Sequence, residues 1–302
     1  MQERDDAGTL FAIIGRSGMS ILSTIEKVPT TDPSEALNSA REIIQEAILS
    51  GIYRSNFFGH AAFQGGTSLR IFHGLDRFSE DLDFCVVDEG YEVDFDRLSD
   101  FIRNELESLG LDYKLDRIKG SDGNITGCFI EGNAVETLSL MGYQEKLLKQ
   151  VHPNTLLKVK IDIDKEIPGG YGLEHVFKEY PFNYGATLLD FPSLFAGKTS
   201  AVITRHWRNR IKGRDLYDFE WYIDREVPVN TRFLENNLMR EGLVGEYELD
   251  RQTLLSILER RFNSINYDSA LSDLRAFVPP SRVPTDWNPD HFIELSKRIV
   301  MK

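Results

Sequence analysis

The sequence is poor in the residues that build disulfide frameworks and zinc sites. It contains two cysteines, Cys85 and Cys128, and no Cys-x-x-Cys pair. Two cysteines in 302 residues suit a reducing compartment, and Cys85, inside an apolar run, is expected to be a small core residue. The six histidines stand without partners at ligand spacing, so neither a zinc site nor a histidine-based nucleophile is expected.

The sequence also lacks long apolar runs and an excess of basic residues. No apolar stretch approaches the roughly eighteen residues of a membrane span, and we expect no signal peptide in the N-terminal residues. We therefore expect a cytoplasmic protein that does not enter a membrane. The net charge of −13 argues against adhesion to nucleic acid through the whole surface, although one basic patch would suffice for a specific contact.

The order of predicted elements indicates an α+β (α/β) fold, with a mixed sheet core flanked by helices and followed by a C-terminal helical domain. Strand-like segments alternate with helices up to about Phe191-Pro192, and helices follow from there. We place the boundary near residue 190, with a core over 1–190 and a helical domain over 191–302. Strands are predicted at Ala61–Gln64, Leu82–Val87, Leu111–Ile118, Ile125–Glu131, Leu156–Asp164 and Ala186–Leu189.

Two neighbouring motifs contain the strongest candidates for ligand-binding residues. Gly65-Gly66 precedes Thr67 and Ser68 at the start of a predicted helix, whose free backbone amides can bind phosphate. Asp81 and Asp83 alternate along the next predicted strand, so both carboxylates leave one face and can contact the same metal cluster. Either motif alone is common at turns or solvated strand edges. Their order and spacing together predict a site for a nucleoside triphosphate with magnesium.

These segments, Gly65–Leu69 and Arg77–Phe84, resemble the nucleotidyltransferase superfamily and, more narrowly, the AbiEii/MenT toxin family. In that family a Gly-Gly-Thr-x-Leu motif is followed by Arg-x-Ser-x-Asp-x-Asp. The family supplies the toxin half of bacterial toxin–antitoxin systems of the abortive-infection type. The resemblance implies nucleotide binding by the glycine motif, namely Gly65, Gly66, Thr67 and Ser68, and metal binding by Asp81 and Asp83.

Two later motifs match the same family. It carries a lysine on a helix and then an Arg-Asp-x-Tyr-Asp string, which correspond here to Lys198 and to Arg214–Asp218. We expect catalytic roles for Lys198 and Asp215, and our hypothesis is that Asp215 orients Lys198 or polarises a base or ribose contact. The segment from Lys198 to Arg214 also holds six Lys or Arg residues and no Asp or Glu. Such a run is often a solvated face, but its positive field suits a triphosphate or an RNA backbone. The expected nucleotide contacts are Lys198, Arg205, Arg210 and Arg214.

A third carboxylate is implied by the superfamily on a neighbouring strand, where it would accept the proton of the incoming hydroxyl. The segment Lys160–Asp164 offers Asp162 and Asp164 on one face of a predicted strand. We favour Asp162 as this catalytic residue and as a metal ligand beside Asp81 and Asp83, with Asp164 as the alternative. Both acids could instead be solvent-side residues.

The resemblance implies a magnesium-dependent nucleotidyltransferase toxin with one or two Mg²⁺ ions and a nucleoside triphosphate as substrate. Its expected acceptor is RNA, in particular a tRNA 3′ end, with a block of translation as the consequence, and its expected protein partner is a cognate antitoxin. Two alternatives stay open at this point. The same site would serve a phosphotransferase or a protein-modifying nucleotidyltransferase, and a chain without turnover would be a nucleotide-binding interaction protein held by an antitoxin.

Overall fold

The computed structural model describes residues 21–118, 124–205 and 211–302. Seven strands form one mixed sheet in the order β3-β4-β5-β2-β1-β7-β6. The strands are β1 Ala61–Gln64, β2 Asp81–Val86, β3 Tyr113–Arg117, β4 Ile125–Asn133, β5 Leu156–Asp164, β6 Leu173–Lys178 and β7 Tyr184–Leu189. The helices are α1 Pro33–Arg54, α2 Gly65–His73, α3 Phe95–Ser108, α4 Ala134–Leu140, α5 Glu145–Leu148, α6 Phe191–Thr204, α7 Gly213–Asp224, α8 Thr231–Arg240, α9 Arg251–Phe262, α10 Tyr267–Leu274 and α11 Pro289–Ser296.

This architecture confirms the predicted α+β fold class, a mixed sheet with flanking helices. Most of the helices begin at an Asp or Asn whose side chain accepts a hydrogen bond from an amide of the first turn, which satisfies a donor that the helix leaves free. None of the described helices is both long and apolar enough to cross a membrane. The capping residues are Asp32, Asp94, Asn133, Asp190, Asn230, Asp250, Asn266 and Asn288.

Backbone contacts divide the chain into two compact units. The first unit comprises the described residues within 1–60, 88–163 and 176–186, and the second those within 61–87, 164–175 and 187–302. The division at residue 190 stays a prediction.

In the first unit, helix α1 packs closely on α3. A Cβ atom at Gly51 would lie 2.9 Å from Ile102 Cα, so the absence of a side chain lets the two helices approach. Strands β3 and β4 pair antiparallel, with Tyr113 opposite Gly132 and Arg117 opposite Cys128. Cys128 is buried, and burial raises the pKa of its thiol to about 12.

In the second unit, a short antiparallel pair positions the glycine motif. Strand β1 pairs with β2 so that Gln64, its last residue, lies opposite Asp83. Strand β1 also runs parallel to β7, with Phe63 opposite Leu188. The core of this unit is rich in aromatic rings contributed by the helices that follow the sheet, and Cys85 belongs to it as a buried free thiol, as predicted. The fully buried rings of these helices are Phe195, Phe219, Tyr222, Phe262 and Phe292.

Candidate active site

The glycine turn places the first residue of helix α2 against Asp83. Gly65 has a left-handed backbone with φ +80°, a conformation that glycine adopts without steric cost. A Cβ atom at Gly65 would lie 2.3 Å from Asp83 Oδ2. A Cβ atom at Gly66 would lie 2.5 Å from a guanidinium nitrogen of Arg77. Glycine is therefore required at both positions for the turn to approach these two side chains.

Helix α2 begins without a side-chain cap. Gln64, at the N-cap position, is extended and makes no capping hydrogen bond. The first amides of a helix have no partner within it and carry the positive end of the helix dipole, so they attract anions such as phosphate. The start of α2 thus offers anion-binding donors next to the carboxylate of Asp83.

The two hydroxyl residues of the motif point into the protein. Thr67 is buried, and its hydroxyl donates a hydrogen bond of 2.5 Å to the backbone carbonyl of Asp81. Ser68 is also buried, and its Oγ has no hydrogen-bond partner among the described residues. Thr67 therefore ties the first turn of α2 to the start of β2, which fixes Asp81 relative to the glycine turn.

Asp81 and Asp83 lie half-buried on one face of β2, whereas Leu82 and Phe84 are buried. Among the described residues, no group of three or more His, Cys, Asp and Glu side chains is arranged to hold a metal ion. Mg²⁺ usually takes one or two carboxylates and completes its shell with water and substrate phosphates. A pair of aspartates beside an anion-binding helix start fits that requirement.

An ion-pair network joins helices α6 and α7 beside this site. Lys198 Nζ lies 2.8 Å from Asp215 Oδ1 and 2.8 Å from Asp218 Oδ2. Arg77 donates two hydrogen bonds of 2.6 Å to the two oxygens of Asp218, and Arg205 donates one of 2.5 Å to Asp215. Two carboxylates thus hold three cations in the second unit.

The two carboxylates of this network stay ionised because of their partners. Burial alone would raise the pKa of Asp215, but the charges of Lys198 and Arg205 outweigh it and hold that pKa below its ordinary value. The pKa of Asp218 is also lowered, since Arg77 and Lys198 outweigh its burial. Lys198 is therefore fixed between two anionic oxygens.

Arg214 and Tyr217, the other two named residues of the Arg-Asp-x-Tyr-Asp string, contact residues outside the ion-pair network. Residues three apart on a helix share a face, so Asp215 and Asp218 turn toward Lys198 together. Arg214 lies 3.9 Å above the ring of Phe277 and 3.8 Å from Glu80, and Tyr217 donates a hydrogen bond of 2.8 Å to Asp76. The contacts of Arg214 with Glu80 and of Tyr217 with Asp76 attach helix α7 to the loop before β2. A contact between Arg214 and phosphate stays a prediction.

The other predicted site residues lie on strand β5 or outside the described residues. Asp162 lies on β5 in the first unit, where Lys160 Nζ donates a 2.6 Å hydrogen bond to it. Asp164 belongs to the second unit, accepts a hydrogen bond from the Glu166 amide, and has a pKa raised mainly by burial. The choice between these acids stays a prediction. Arg210 lies outside the described residues.

Three residues of the cluster were given no role by the sequence. Arg77 and Asp218 stand inside the two quoted motifs, but their pairing joins positions 141 residues apart. Lys212, in the basic run, is exposed and interacts electrostatically with Arg205, with Asp215 and, less strongly, with Arg214 and Asp81. Partial desolvation and then the charge of Arg205 lower the pKa of Lys212. The position of Lys212 near the end of a basic run without Asp or Glu is the sequence feature that could have indicated a role for it.

The family comparison agrees with this geometry. The family model described as nucleotidyl transferase AbiEii toxin, type IV toxin–antitoxin system, matches residues 47–294. The chain belongs to the AbiEii toxin family. Nucleotidyl transfer is the activity class of this AbiEii chain, and a type IV system implies an antitoxin as its partner. The resemblance inferred from the motifs is thereby confirmed.

Solved structures with a similar backbone come from Helicobacter pylori. JHP933 is 15% identical, with a TM-score of 0.47, and the match covers 87% of the AbiEii chain and 88% of JHP933. A protein described as a candidate nucleotidyltransferase is 16% identical, with a TM-score of 0.46, and the match covers 85% of the AbiEii chain and 91% of that protein. No curated protein sequence matches the AbiEii chain.

Proposed function

We propose that this AbiEii protein is a magnesium-dependent toxin that transfers a nucleotide from a nucleoside triphosphate to the 3′ end of an RNA, in particular a tRNA, and thereby blocks translation. The approach of Gly65 to Asp83 carries the proposal. It puts the uncapped start of α2, which suits phosphate, next to a carboxylate that suits magnesium. The family supplies the activity class, and the acceptor is our proposal.

In this proposal the backbone amides at the start of α2 hold the β- and γ-phosphates. Gly65 and Gly66 let the phosphates approach the backbone because no side chain covers it there. Thr67 and Ser68 are buried, so they support the site through packing and through the Thr67 bond to Asp81. Lys198 supplies a cation to the triphosphate, and Asp215 and Asp218 orient its ammonium group.

Asp81 and Asp83 would hold one or two Mg²⁺ ions, with Asp162 as the proposed third ligand. Magnesium in this place would neutralise the negative charge that develops on the departing pyrophosphate. Catalysis by the chain itself rests on positioning, because phosphoryl transfer demands little covalent chemistry from the protein.

The transfer step forms one bond and breaks one. The 3′ hydroxyl oxygen of the acceptor attacks the α-phosphorus, and the bond from that phosphorus to the oxygen bridging toward the β-phosphorus breaks. Pyrophosphate leaves with that oxygen, and the acceptor gains a nucleoside monophosphate through a phosphodiester. Asp162 accepts the proton of the acceptor's 3′ hydroxyl while the oxygen of that hydroxyl attacks the α-phosphorus.

Total RNA and purified protein incubated with α-labelled nucleoside triphosphates test this proposal. We expect label on RNA with the wild type, none with Asp83→Ala, none with EDTA, and recovery when Mg²⁺ is added back. Asp100→Ala is the matched control, since it removes an exposed aspartate from α3 in the first unit.

The position of the label separates the alternatives. Transfer from γ-labelled but not from α-labelled substrate would identify a phosphotransferase, and label on protein would identify a protein-modifying enzyme. Absence of any label in the presence of tight nucleotide binding would favour an interaction protein. Each of these three results contradicts the proposal.

A further inference from the structure

An arginine on helix α9 binds the C-terminal end of helix α6 within the second unit. Arg261 donates a 2.8 Å hydrogen bond from Nε to the carbonyl oxygen of Val202 and a 2.5 Å hydrogen bond from Nη2 to that of Arg205. The last carbonyls of a helix have no partner within it and carry the negative end of the helix dipole. The guanidinium therefore caps α6 both through its hydrogen bonds and through its charge.

Arg261 holds one of the two backbone groups that fix the position of Arg205. Arg205 is the C-cap of α6, and its backbone is extended with φ −61° and ψ 119°, so the helix ends there. Its amide donates a 3.2 Å hydrogen bond to the carbonyl of Ala201, and its carbonyl accepts the hydrogen bond from Arg261. The peptide groups on both sides of its Cα atom are thus held, which fixes the point from which its side chain starts.

The side chain of Arg205 binds the same carboxylate that holds Lys198. Arg205 Nη1 lies 2.5 Å from Asp215 Oδ2, and Lys198 Nζ lies 2.8 Å from Asp215 Oδ1. The side chain of Arg205 is 43% exposed, so part of it is accessible to a ligand. Because Arg205 is an expected contact of the triphosphate, whatever fixes its backbone bears on how the nucleotide is bound.

Helix α9 is attached to its neighbours by aromatic packing next to Arg261. The following residue, Phe262, is fully buried, and the centre of its ring lies 5.7 Å from that of Phe219 and 5.3 Å from that of Phe292. Burial of an apolar face supplies most of the stability of a packed helix. These ring contacts do not depend on an arginine at position 261, so its two hydrogen bonds are available for a role at the end of α6.

We propose that Arg261 is a positioning residue for the nucleoside triphosphate. By holding the carbonyl of Arg205, it keeps the Arg205 side chain on Asp215 and leaves the exposed part of that side chain to bind the triphosphate together with Lys198. Arg261 acts through Arg205 and does not contact the substrate. This proposal rests on the proposed function, because that function places a triphosphate beside Lys198.

The first residue of the same helix provides a matched control. Arg251 also donates hydrogen bonds to two backbone carbonyls, those of Lys297 and Ile299, but these lie at and after the C-cap of helix α11. Each arginine therefore fastens one helix end, and only the end bound by Arg261 carries Arg205. We expect Arg251→Gln and Arg261→Gln to lower the urea midpoint of unfolding by similar amounts, and only Arg261→Gln to weaken nucleotide binding.

Isothermal titration calorimetry with ATP, GTP, CTP and UTP, with Mg²⁺ and without RNA, tests the positioning role. For the nucleotide that the wild type binds most tightly, we expect the Kd to rise roughly tenfold in Arg205→Gln, roughly three- to tenfold in Arg261→Gln, and not at all in Arg251→Gln. A wild-type Kd in Arg205→Gln or in Arg261→Gln would overturn the proposal. An equal rise in Arg261→Gln and Arg251→Gln would also overturn it, because loss of stability alone would then explain the effect.

A double-mutant cycle tests whether Arg261 acts through Arg205. In a chain that already carries Arg205→Gln, we expect Arg261→Gln to change the Kd little further, since the side chain that it positions is gone. Two effects that multiply in the double variant would contradict this route. Arg261→Lys keeps the charge but offers one ammonium group to two carbonyls, so an intermediate Kd is expected. Should Arg261→Gln fail to fold, Arg261→Lys takes its place and is judged by the same outcomes.

The label assay on RNA separates this proposal from the proposed function. If the wild type labels RNA while Arg261→Gln binds nucleotide as the wild type does, the function stands and the positioning role is wrong. If the wild type labels no RNA but the Kd depends on Arg261 and Arg205 as expected, the positioning role stands and transfer to RNA is wrong. Absence of nucleotide binding by the wild type would overturn both proposals.

Discussion

Arg77 and Asp218 form a bidentate ion pair that is buried in the second unit. Two nitrogens of the Arg77 guanidinium each donate a hydrogen bond of 2.6 Å, one to each oxygen of the Asp218 carboxylate. Asp218 Oδ2 also lies 2.8 Å from Lys198 Nζ. The pair therefore connects the segment that leads into the Asp81–Asp83 strand with the lysine proposed to bind the triphosphate.

Removal of Asp218 is expected to destabilise the protein strongly. Asp218→Ala leaves the buried charge of Arg77 without its partner, and breaking a buried pair in this way costs roughly 3–5 kcal/mol. Urea unfolding measures the loss. Asp224→Ala is the matched control at the end of the same helix, because the pair of Asp224 with Arg298 is half-exposed and such pairs contribute about 0–1 kcal/mol. Equal losses in the two variants would contradict a structural role for the buried pair.

The two ends of helix α2 allow backbone strain to be separated from site geometry. Gly65 and Gly74 both have left-handed backbones, with φ +80° and +74°, so alanine costs roughly 1–2 kcal/mol at either position. Only at Gly65 would the new methyl group meet Asp83, because nothing lies within 4 Å of a Cβ atom at Gly74. We expect a larger loss of stability in Gly65→Ala than in Gly74→Ala, because the methyl group at Gly65 must also displace Asp83, and we expect transfer activity to fall about 100-fold in Gly65→Ala alone. An equal fall of transfer activity in the two variants would contradict a role for the close contact between Gly65 and Asp83.

Much of the fold was predictable because local patterns determine it. Strand β1 has the predicted bounds, and the alternation of apolar residues in Leu156–Asp164 predicted the full length of β5. Strand β6 was missed since Leu173–Lys178 is largely exposed and shows no regular alternation of apolar residues. Helices α4 and α5 were missed because seven and four residues hold too few turns for a clear apolar period.

The site was predictable where its residues are close in sequence or share a motif. Thr67 and Ser68 were expected to offer hydroxyls to phosphate, but whether those hydroxyls face the ligand or the core depends on how α2 packs on β2. The Lys198–Asp215 contact matches the orienting role suggested for Asp215, and that role itself stays a prediction. The Arg77–Asp218 pair depends on packing between segments far apart in the chain, which spacing alone does not reveal.

The depressed pKa values of Asp215 and Asp218 predict a stability that falls in acid. A carboxylate whose pKa is lower in the folded state contributes stability above its unfolded value of about 4, and that contribution is lost as the pH falls toward the folded pKa. Unfolding free energies measured by urea from neutral pH to below pH 4 are expected to decline more steeply in the wild type than in Asp215→Asn. Parallel curves for the two proteins would show that Asp215 is not a source of the dependence.

Lys212 is expected to contribute to nucleotide binding without contributing to the fold. Its side chain is exposed, and its ammonium group interacts with the charge of Asp81, so it can attract the triphosphate toward the carboxylate pair. We expect Lys212→Gln to raise the KM for the nucleoside triphosphate roughly two- to fivefold, as for other exposed charge contacts, with kcat and the unfolding midpoint unchanged. Lys149→Gln removes an exposed lysine from the first unit and should leave KM unaltered. A KM that is unchanged in Lys212→Gln, or raised equally in both variants, would mean that the local field at Lys212 does not act on the substrate.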